Sequence, residues 1–178
     1  MKDTWDDYFI DKTDVLKNKL GIISKAELYS KEKEITLKKL AYLELFPIDG
    51  EFDINHLKAI HMFLFSDIYP FAGKFRTCSL AKKTQFYDPD MIEDELRKTL
   101  IDLNNEIKEV RDRRKYAYVL AKAYYNIMAI HPFRDENEPL GQQKTYLQKY
   151  LQNKGFTDFG KSFFLNEFYN FSIKCWFF

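Results

Sequence analysis

Apolar residues recur at helical spacing along most of the chain. From residue 54 onward, Leu57, Ile60, Leu64 and Ile68 fall on one stripe, which predicts a helix over residues 54–68. A more regular stripe predicts a helix from residue 89 to about 110; its members are Ile92, Leu96, Leu100, Leu103, Ile107 and Val110. Residues 116–130 are apolar almost all round, with Lys122 as their one charge, which predicts a central helix buried on every side.

Short polar motifs mark where these helices begin. The sequence SKAE at residues 24–27 matches a capping box and predicts a helix from about 25 to 46, which the sequence FPIDG ends. Asp53 can cap the second helix. Asp88 can cap the third, with Pro89 at its first position, where proline is favoured.

Two β-prone runs interrupt the helical pattern. Residues 75–80 and 84–87 flank the polar tip Ala81-Lys82-Lys83, which predicts a short hairpin. The fold class is therefore all-α, mainly helical, with one small β-hairpin. We expect a single domain over residues 1–178. It includes an N-terminal extension of about 1–24 and an aromatic C-terminal segment of about 161–178.

Composition excludes several function classes. The formal net charge of +1 in 178 residues predicts no nucleic-acid partner, because such proteins gather lysine and arginine on one face. The basic residues near position 113 are interrupted by Asp112 and are interpreted as a solvated helix end. Cys78 and Cys175 give no metal spacing and no disulfide framework, which fits the reducing cytoplasm. The acidic N-terminus lacks the apolar core of a signal peptide, and we expect no membrane association.

The sequence AIHPFRDENEPL, residues 129–140, is the main candidate for chemistry. His131 stands where the predicted central helix meets a run of polar residues, and the loop leads into the N-terminus of another predicted helix, which favours an anion. A solvated loop with Asn137 as a helix cap is the structural alternative. His56 and His61 are five residues apart, on different helix faces, and are expected to have no chemical role.

This loop resembles the signature of the Fic family (filamentation-induced proteins), His-Pro-Phe-x-Asp/Glu-Gly-Asn-Gly/Lys-Arg, with a second arginine three residues after the first. Further segments are similar to the family in the same order, over roughly residues 8–160. They are DVLKNKLGIISKAEL, HLKAIHMFLFSDIYPFAGKFRT, QFYDPDMIEDEL and LQNKGFTDF. The resemblance implies a Fic-like helical bundle around the 116–130 helix, in which the hairpin is a flap.

The resemblance also implies transfer of AMP from ATP, the co-substrate, to a Ser, Thr or Tyr hydroxyl of a target protein. His131 matches the general base, Phe133 the residue that anchors the nucleotide-binding loop in the core, Asp135 the acid that holds Mg²⁺, and Asn137 the phosphate-binding asparagine. The flap holds the target chain by strand addition. The flap residues that match are Thr77, Cys78, Ser79, Leu80, Gln85, Phe86 and Tyr87.

Four loop positions depart from the family pattern. Glu136 and Glu138 stand at positions where glycine lets the backbone close on phosphate, and Pro139 and Gln142 stand at the two arginines. The loop therefore keeps the base and the metal acid but lacks the phosphate clamp. The resemblance implies a protein adenylyltransferase impaired by this degenerate loop. Two alternatives stay open: a catalytically silent module that binds protein or nucleotide, and a relative that transfers another phosphate-linked group.

Regulation by an inhibitory helix is matched only in part. Relatives carry Ser/Thr-x-x-x-Glu-Gly/Asn on that helix, and residues 30–35, SKEKEI, end on isoleucine instead. We therefore expect any inhibitor to be a small antitoxin-like protein acting in trans.

Overall fold

The computed structural model describes residue 4, residues 6–80 and residues 86–134. In this part of the chain, four α-helices are preceded by a short 3₁₀ turn, Asp6–Tyr8. The helices are α1 (Lys25–Leu45), α2 (Ile54–Phe65), α3 (Ile92–Glu109) and α4 (Arg113–Ile130). Helix α3 packs along α4, α1 packs against α2, and α2 also contacts α3. The prediction of a mainly helical fold is confirmed.

The predicted caps of α1 and α2 are present. Ser24 accepts a hydrogen bond from the backbone N–H of Glu27, so one half of the predicted capping box forms. Asp53 accepts from the backbone N–H of His56 at 2.8 Å. Both side chains satisfy donors that the first turn of a helix leaves without a partner, which is why these two starts could be predicted from the sequence.

Helix α2 ends earlier than predicted. The prediction of a helix to residue 68 is wrong by one turn, because α2 ends at Phe65 and the chain continues in turns. Ile68 is nevertheless fully buried, like Leu57 and Ile60. The apolar stripe thus correctly indicated that Ile68 is buried. The chain after α2 forms a 3₁₀-type turn instead of a further α-helical turn, in which the N–H of Ile68 donates to the carbonyl of Phe65.

Helix α3 begins after a 3₁₀ turn. Asp88 accepts from the backbone N–H of Asp90 at 3.0 Å and caps the turn Pro89–Met91, which runs directly into α3. The predicted stripe faces the core; its fully buried members are Ile92, Leu96, Leu100 and Leu103. Arg111 caps the C-terminal end of α3. Its Nη1 donates a hydrogen bond to the carbonyl of Lys108 at 2.6 Å, and a cation is favourable at this end of a helix.

Helix α4 is not buried on every side, and that prediction is wrong. Tyr118 and Tyr125 are 59% and 58% exposed, and Lys122 between them pairs with Glu106 of α3 at 2.6 Å. These three positions of α4 share one helix face, which packing does not cover. A tyrosine tolerates such a position because its hydroxyl can bind water. Hydropathy counts it as apolar, so the sequence pattern overestimated burial.

The N-terminal segment contributes to the core. Tyr8, Val15 and Leu16 are buried, and Phe9 forms an isolated antiparallel bridge with Leu16. The backbone N–H of Lys19 donates to the carbonyl of Ile68 at 2.7 Å, which attaches the segment to the turn after α2. Within the described residues, no helix is both long enough and apolar enough to cross a membrane.

The predicted hairpin stays a prediction. Its tip at residues 81–85 lies outside the described residues, and the antiparallel bridge assigned to Phe75 is with Phe133. The start of the flap is thus held by the loop that follows α4.

The core beneath that loop is built around His61. Its ring stacks on Phe133, with 3.9 Å between the ring centroids, and its Nδ1 accepts a hydrogen bond from the backbone N–H of Gly73 at 2.9 Å. Burial lowers the pKa of His61 from 6.5 to about 3, so the ring is neutral at physiological pH. His61 therefore joins the turn before the flap to the loop after α4, a structural role.

The turn before the predicted flap passes close to α2 at Gly73. Its φ of +74° lies in the left-handed region, and an added Cβ would come within 2.9 Å of the Cβ of Met62 and 3.2 Å of the carbonyl oxygen of Lys58. A side chain here would meet both backbone strain and the surface of α2.

We predict that Gly73→Ala lowers the free energy of unfolding by about 2–4 kcal/mol, since left-handed strain and overpacking add. The matched control is Gly21→Ala, whose φ is +69° but where nothing lies within 4 Å of the added Cβ. This control should lose only about 1 kcal/mol. Urea denaturation measures both losses, and equal losses would contradict the packing argument.

We predict that His61 makes stability depend on pH. Because the pKa is depressed in the folded state, the unfolded chain alone takes up a proton below pH 6.5. The contribution of His61 is complete above pH 6.5 and falls by about 2 kcal/mol between pH 7 and pH 5.

The test compares the unmodified chain with His61→Asn, which keeps a hydrogen-bond acceptor but does not titrate. The difference in unfolding free energy between the two proteins should shrink from pH 7 to pH 5. A constant difference would show that His61 is protonated equally in both states.

Candidate active site

His131 directly follows the last residue of α4. Its backbone is left-handed, with φ 50° and ψ 66°, and its N–H donates to the carbonyl of Ile127 at 2.9 Å. Glycine usually occupies this capping position, and a residue with a Cβ costs about 1–2 kcal/mol there. The residue is 3% exposed. Residues in strained backbone conformations are often found at functional sites, so His131 is a candidate functional residue.

The imidazole of His131 is covered by an aromatic ring from the far arm of the predicted flap, residues 84–87. Phe86 stacks on it with 4.2 Å between the ring centroids and 16° between the planes. Phe86 is itself partly buried and packs against the core. The plane of the imidazole is therefore fixed by a residue that the sequence predicts to belong to the flap.

Phe133 holds the loop to the core. It is fully buried between the ring of His61 and the ring of Phe75, whose centroid lies 5.4 Å away. The antiparallel bridge between Phe75 and Phe133 adds a main-chain link. The Phe133 side chain therefore attaches the start of this loop to the core.

Arg76 is a site residue that sequence reasoning missed. It is 1% exposed, and its Nε donates to the carbonyl of His131 at 2.7 Å, while Nη2 donates to the carbonyl of Ile130 at 3.1 Å. These carbonyls end α4, where partners are lacking and the helix dipole is negative, so a cation is favoured. The available signal was a single charge inside the β-prone run FRTCSL, residues 75–80.

The guanidinium of Arg76 is partly desolvated. Burial lowers the pKa of Arg76, and the groups of Cys78, Asp88 and Tyr8 act in the opposite direction. An arginine stays protonated under such a shift, because its ordinary pKa is far above neutrality. The end of α4 therefore faces a permanent positive charge.

The near arm of the predicted flap, residues 75–80, alternates between exposed and buried residues after Arg76. Thr77 and Ser79 are exposed, whereas Cys78 and Leu80 are buried. Period-two alternation is typical of an extended chain that packs one face on the core. Tyr87 is exposed on the far arm, and Gln85 lies outside the described residues.

The described part of the loop ends at Arg134. Its side chain is buried, and its guanidinium carbon lies 5.2 Å from the ring centroid of Phe9 and 5.8 Å from that of Tyr8. This cation–π contact with the N-terminal segment was not predicted. The remaining loop positions that the sequence analysis singled out lie outside the described residues; they are Asp135 and Asn137, with predicted roles, and the four departures Glu136, Glu138, Pro139 and Gln142.

The other histidine, His56, and the partial inhibitory motif have partners outside this loop. Nε2 of His56 is 3.0 Å from the carbonyl oxygen of Ile48, and the ring meets Phe52 edge-on. Hydrogen bonds from Lys38 and Lys31 lower the pKa of Glu34, on α1, to about 2. Glu34 is thus engaged on an exposed helix face.

Residues 4, 6–80 and 86–134 contain no group of three or more His, Cys, Asp or Glu that could hold a metal ion.

The chain resembles known proteins in sequence. The sequence profile of the Fic/DOC family matches residues 51–141. Protein adenylyltransferase VbhT of Bartonella schoenbuchensis is 32% identical over 135 residues, and "Probable protein adenylyltransferase y4lH" of Sinorhizobium fredii is 32% identical over 128 residues. These alignments cover 74% and 70% of the chain, but only 28% and 65% of the two relatives.

A solved structure shares the fold. The N-terminal Fic domain of a VirB-translocated Bep effector protein from Bartonella quintana, with bound ADP, superposes with a TM-score of 0.69 at 26% identity. The match covers 84% of this chain and 77% of that one. The family profile spans both helices α3 and α4 and the loop that carries His131. The chain therefore belongs to the Fic/DOC family.

Proposed function

We propose that the chain is a protein adenylyltransferase that transfers AMP from ATP to a Ser, Thr or Tyr hydroxyl of a target protein. In this reaction the hydroxyl oxygen bonds to the α-phosphorus, the bond from that phosphorus to the pyrophosphate oxygen breaks, and pyrophosphate leaves. His131 takes the hydroxyl proton. The observation that carries the proposal is the placement of His131, buried at the end of α4 in a fixed left-handed conformation beneath a flap residue.

His131 suits the role of a general base. A base must be held within hydrogen-bond reach of the proton it takes, and its backbone and ring plane must not drift during the reaction. The hydrogen bond to Ile127 and the stack on Phe86 restrain both. The family membership and the relatives named as protein adenylyltransferases support the same role.

Residues directly after Arg134 would hold the nucleotide and Mg²⁺. Asp135 offers a carboxylate, the hard oxygen ligand that Mg²⁺ binds together with phosphate oxygens, and Asn137 offers a donor to phosphate. The donor set fits the ion, which when bound neutralises charge on the phosphates. The ADP bound to the similar Bartonella quintana domain supports nucleotide use.

The flap would dock the target protein. An extended chain with one face on the core leaves a backbone edge for strand addition, and Thr77 and Ser79 are exposed beside it. We place the protein in the cytoplasm, because the spacing of Cys78 and Cys175 gives no disulfide framework. Because the partial inhibitory motif of α1 is engaged with Lys31 and Lys38, we assign inhibition to a small antitoxin-like protein in trans.

A second candidate function is a silent module that binds protein through the flap. Glu136 and Glu138 add negative charge where a polyphosphate would lie, and Pro139 and Gln142 replace both arginines of the family pattern. These four residues favour weak nucleotide binding and slow transfer. The two candidates differ in whether restoring the phosphate clamp is enough to restore transfer.

We predict that repairing the loop raises AMP transfer by about 100-fold or more, because each donor at a developing charge is worth about 10²–10³ in rate. The repaired chain carries Glu136→Gly, Glu138→Gly, Pro139→Arg and Gln142→Arg. Labelling with α-³²P-ATP, Mg²⁺ and cell lysate measures transfer in both proteins.

The control for this prediction is His131→Ala in the repaired chain, which should abolish labelling. Labelling that persists would identify another base. A repaired chain that binds Mg-ATP by calorimetry but labels nothing would favour the silent module.

We predict that Ser79→Pro prevents target docking, because proline removes a backbone donor from the flap edge. The matched control is Ser79→Ala, which removes the hydroxyl and keeps the N–H. Pull-down from lysate with each variant measures docking. Equal recovery of partners by the two variants would show that the flap edge is not the docking surface.

A further inference from the structure

The flap and the end of α4 share one side chain, that of Arg76. Besides its bonds to the carbonyls of Ile130 and His131, its Nη1 donates to the carbonyl of Cys78 at 2.8 Å on the near arm. Its Nη2 donates to the carbonyl of Tyr87 at 2.6 Å on the far arm. One buried guanidinium therefore sets the separation of three stretches of backbone.

The main chain of Arg76 strengthens this connection. Its N–H donates to the carbonyl of Pro132 at 2.9 Å, next to the bridge between Phe75 and Phe133. Arg76 thus binds the His131 loop twice, through its backbone N–H at Pro132 and through its side chain at His131. A shift of the near arm would have to break both contacts.

The far arm is tied to the imidazole itself. Tyr87, whose carbonyl Arg76 binds, directly follows Phe86, whose ring stacks on His131. Restraining Tyr87 therefore restrains the ring that covers the imidazole.

We propose that Arg76 is a positioning residue for the transfer, fixing the distance between the imidazole of His131 and a target chain held by the flap. This inference rests on the proposed function. The role requires arginine, because its planar fork directs donors to several carbonyls at once, whereas the ammonium of lysine is a compact point charge.

The test uses the histidine ring signals, because the chain has three histidines and each has a different setting. In a ¹H–¹³C spectrum, the His131 signal should be shifted by the ring current of Phe86, and His131→Gln assigns it. Arg76→Lys should move this signal toward its position in Phe86→Leu. The signals of His56 and His61 should stay in place and so report an intact core.

The matched control is Arg97→Lys, the same change at an exposed arginine that pairs with Glu93 on α3. It should move none of the three signals. A His131 signal that stays in place in folded Arg76→Lys would overturn the proposal.

Phe86→Leu keeps the proposal testable if Arg76→Lys does not fold. In this variant the signals of the His131 ring and of the Arg76 Nε–H should move together, since Tyr87 connects them. An Arg76 Nε–H signal unchanged in Phe86→Leu would show that the far arm and the guanidinium are not coupled, and would overturn the proposal.

Kinetics separate this inference from the proposed function. In the loop-repaired chain, Arg76→Lys should lower kcat by about 100-fold, the cost of a misplacement near 1 Å, and leave the KM for ATP within about twofold. Labelling at the full rate would overturn the role of Arg76 and leave the proposed function standing. No labelling in any background would overturn the proposed function, and the spectra, which need no turnover, would still decide whether Arg76 holds His131.

Discussion

The bonds from the Arg76 guanidinium to backbone carbonyls are the interaction on which the site depends. A buried cation is costly unless its donors are satisfied, and Arg76 satisfies them with carbonyls of Ile130, His131, Cys78 and Tyr87. The carbonyls of Ile130 and His131 gain a partner that their own stretch of chain does not supply. The left-handed conformation of His131 persists because its carbonyl is held by this side chain and its N–H by α4.

Local signals allowed most of the helices to be predicted from the sequence. Ser24 and Asp53 act within a few residues of themselves, so the chemistry of a cap is enough to locate a helix start. Hydrophobic periodicity, the other local signal, gave two wrong predictions. Ile68 lies in the core although its helix has ended, and Tyr125 faces outward although its helix is apolar. Both errors arise because periodicity reports average burial and not the conformation or the neighbours of each residue.

The site was predictable only where a motif marks it. His131 and Phe133 could be located from the resemblance, and the structure places them at the end of α4 and in the core. Arg76 could not, because its partners are up to 55 residues away in sequence and are all backbone atoms, which leave no side-chain pattern. The contact of Arg134 with Tyr8 and Phe9 spans most of the described chain and was missed for the same reason.

The two halves of the candidate reaction depend on different parts of the chain. His131, the proposed base, and its loop are held by Arg76, Phe86 and His61 with Phe133, all of which precede the degenerate positions. Phosphate binding would depend on residues after Arg134, where carboxylates replace glycine and arginine is lost. Within the described residues, the contacts that hold His131 come from α4, Arg76 and Phe86. The difference between an impaired enzyme and a silent binding module therefore lies on the phosphate side, and the same arrangement of His131 is compatible with either.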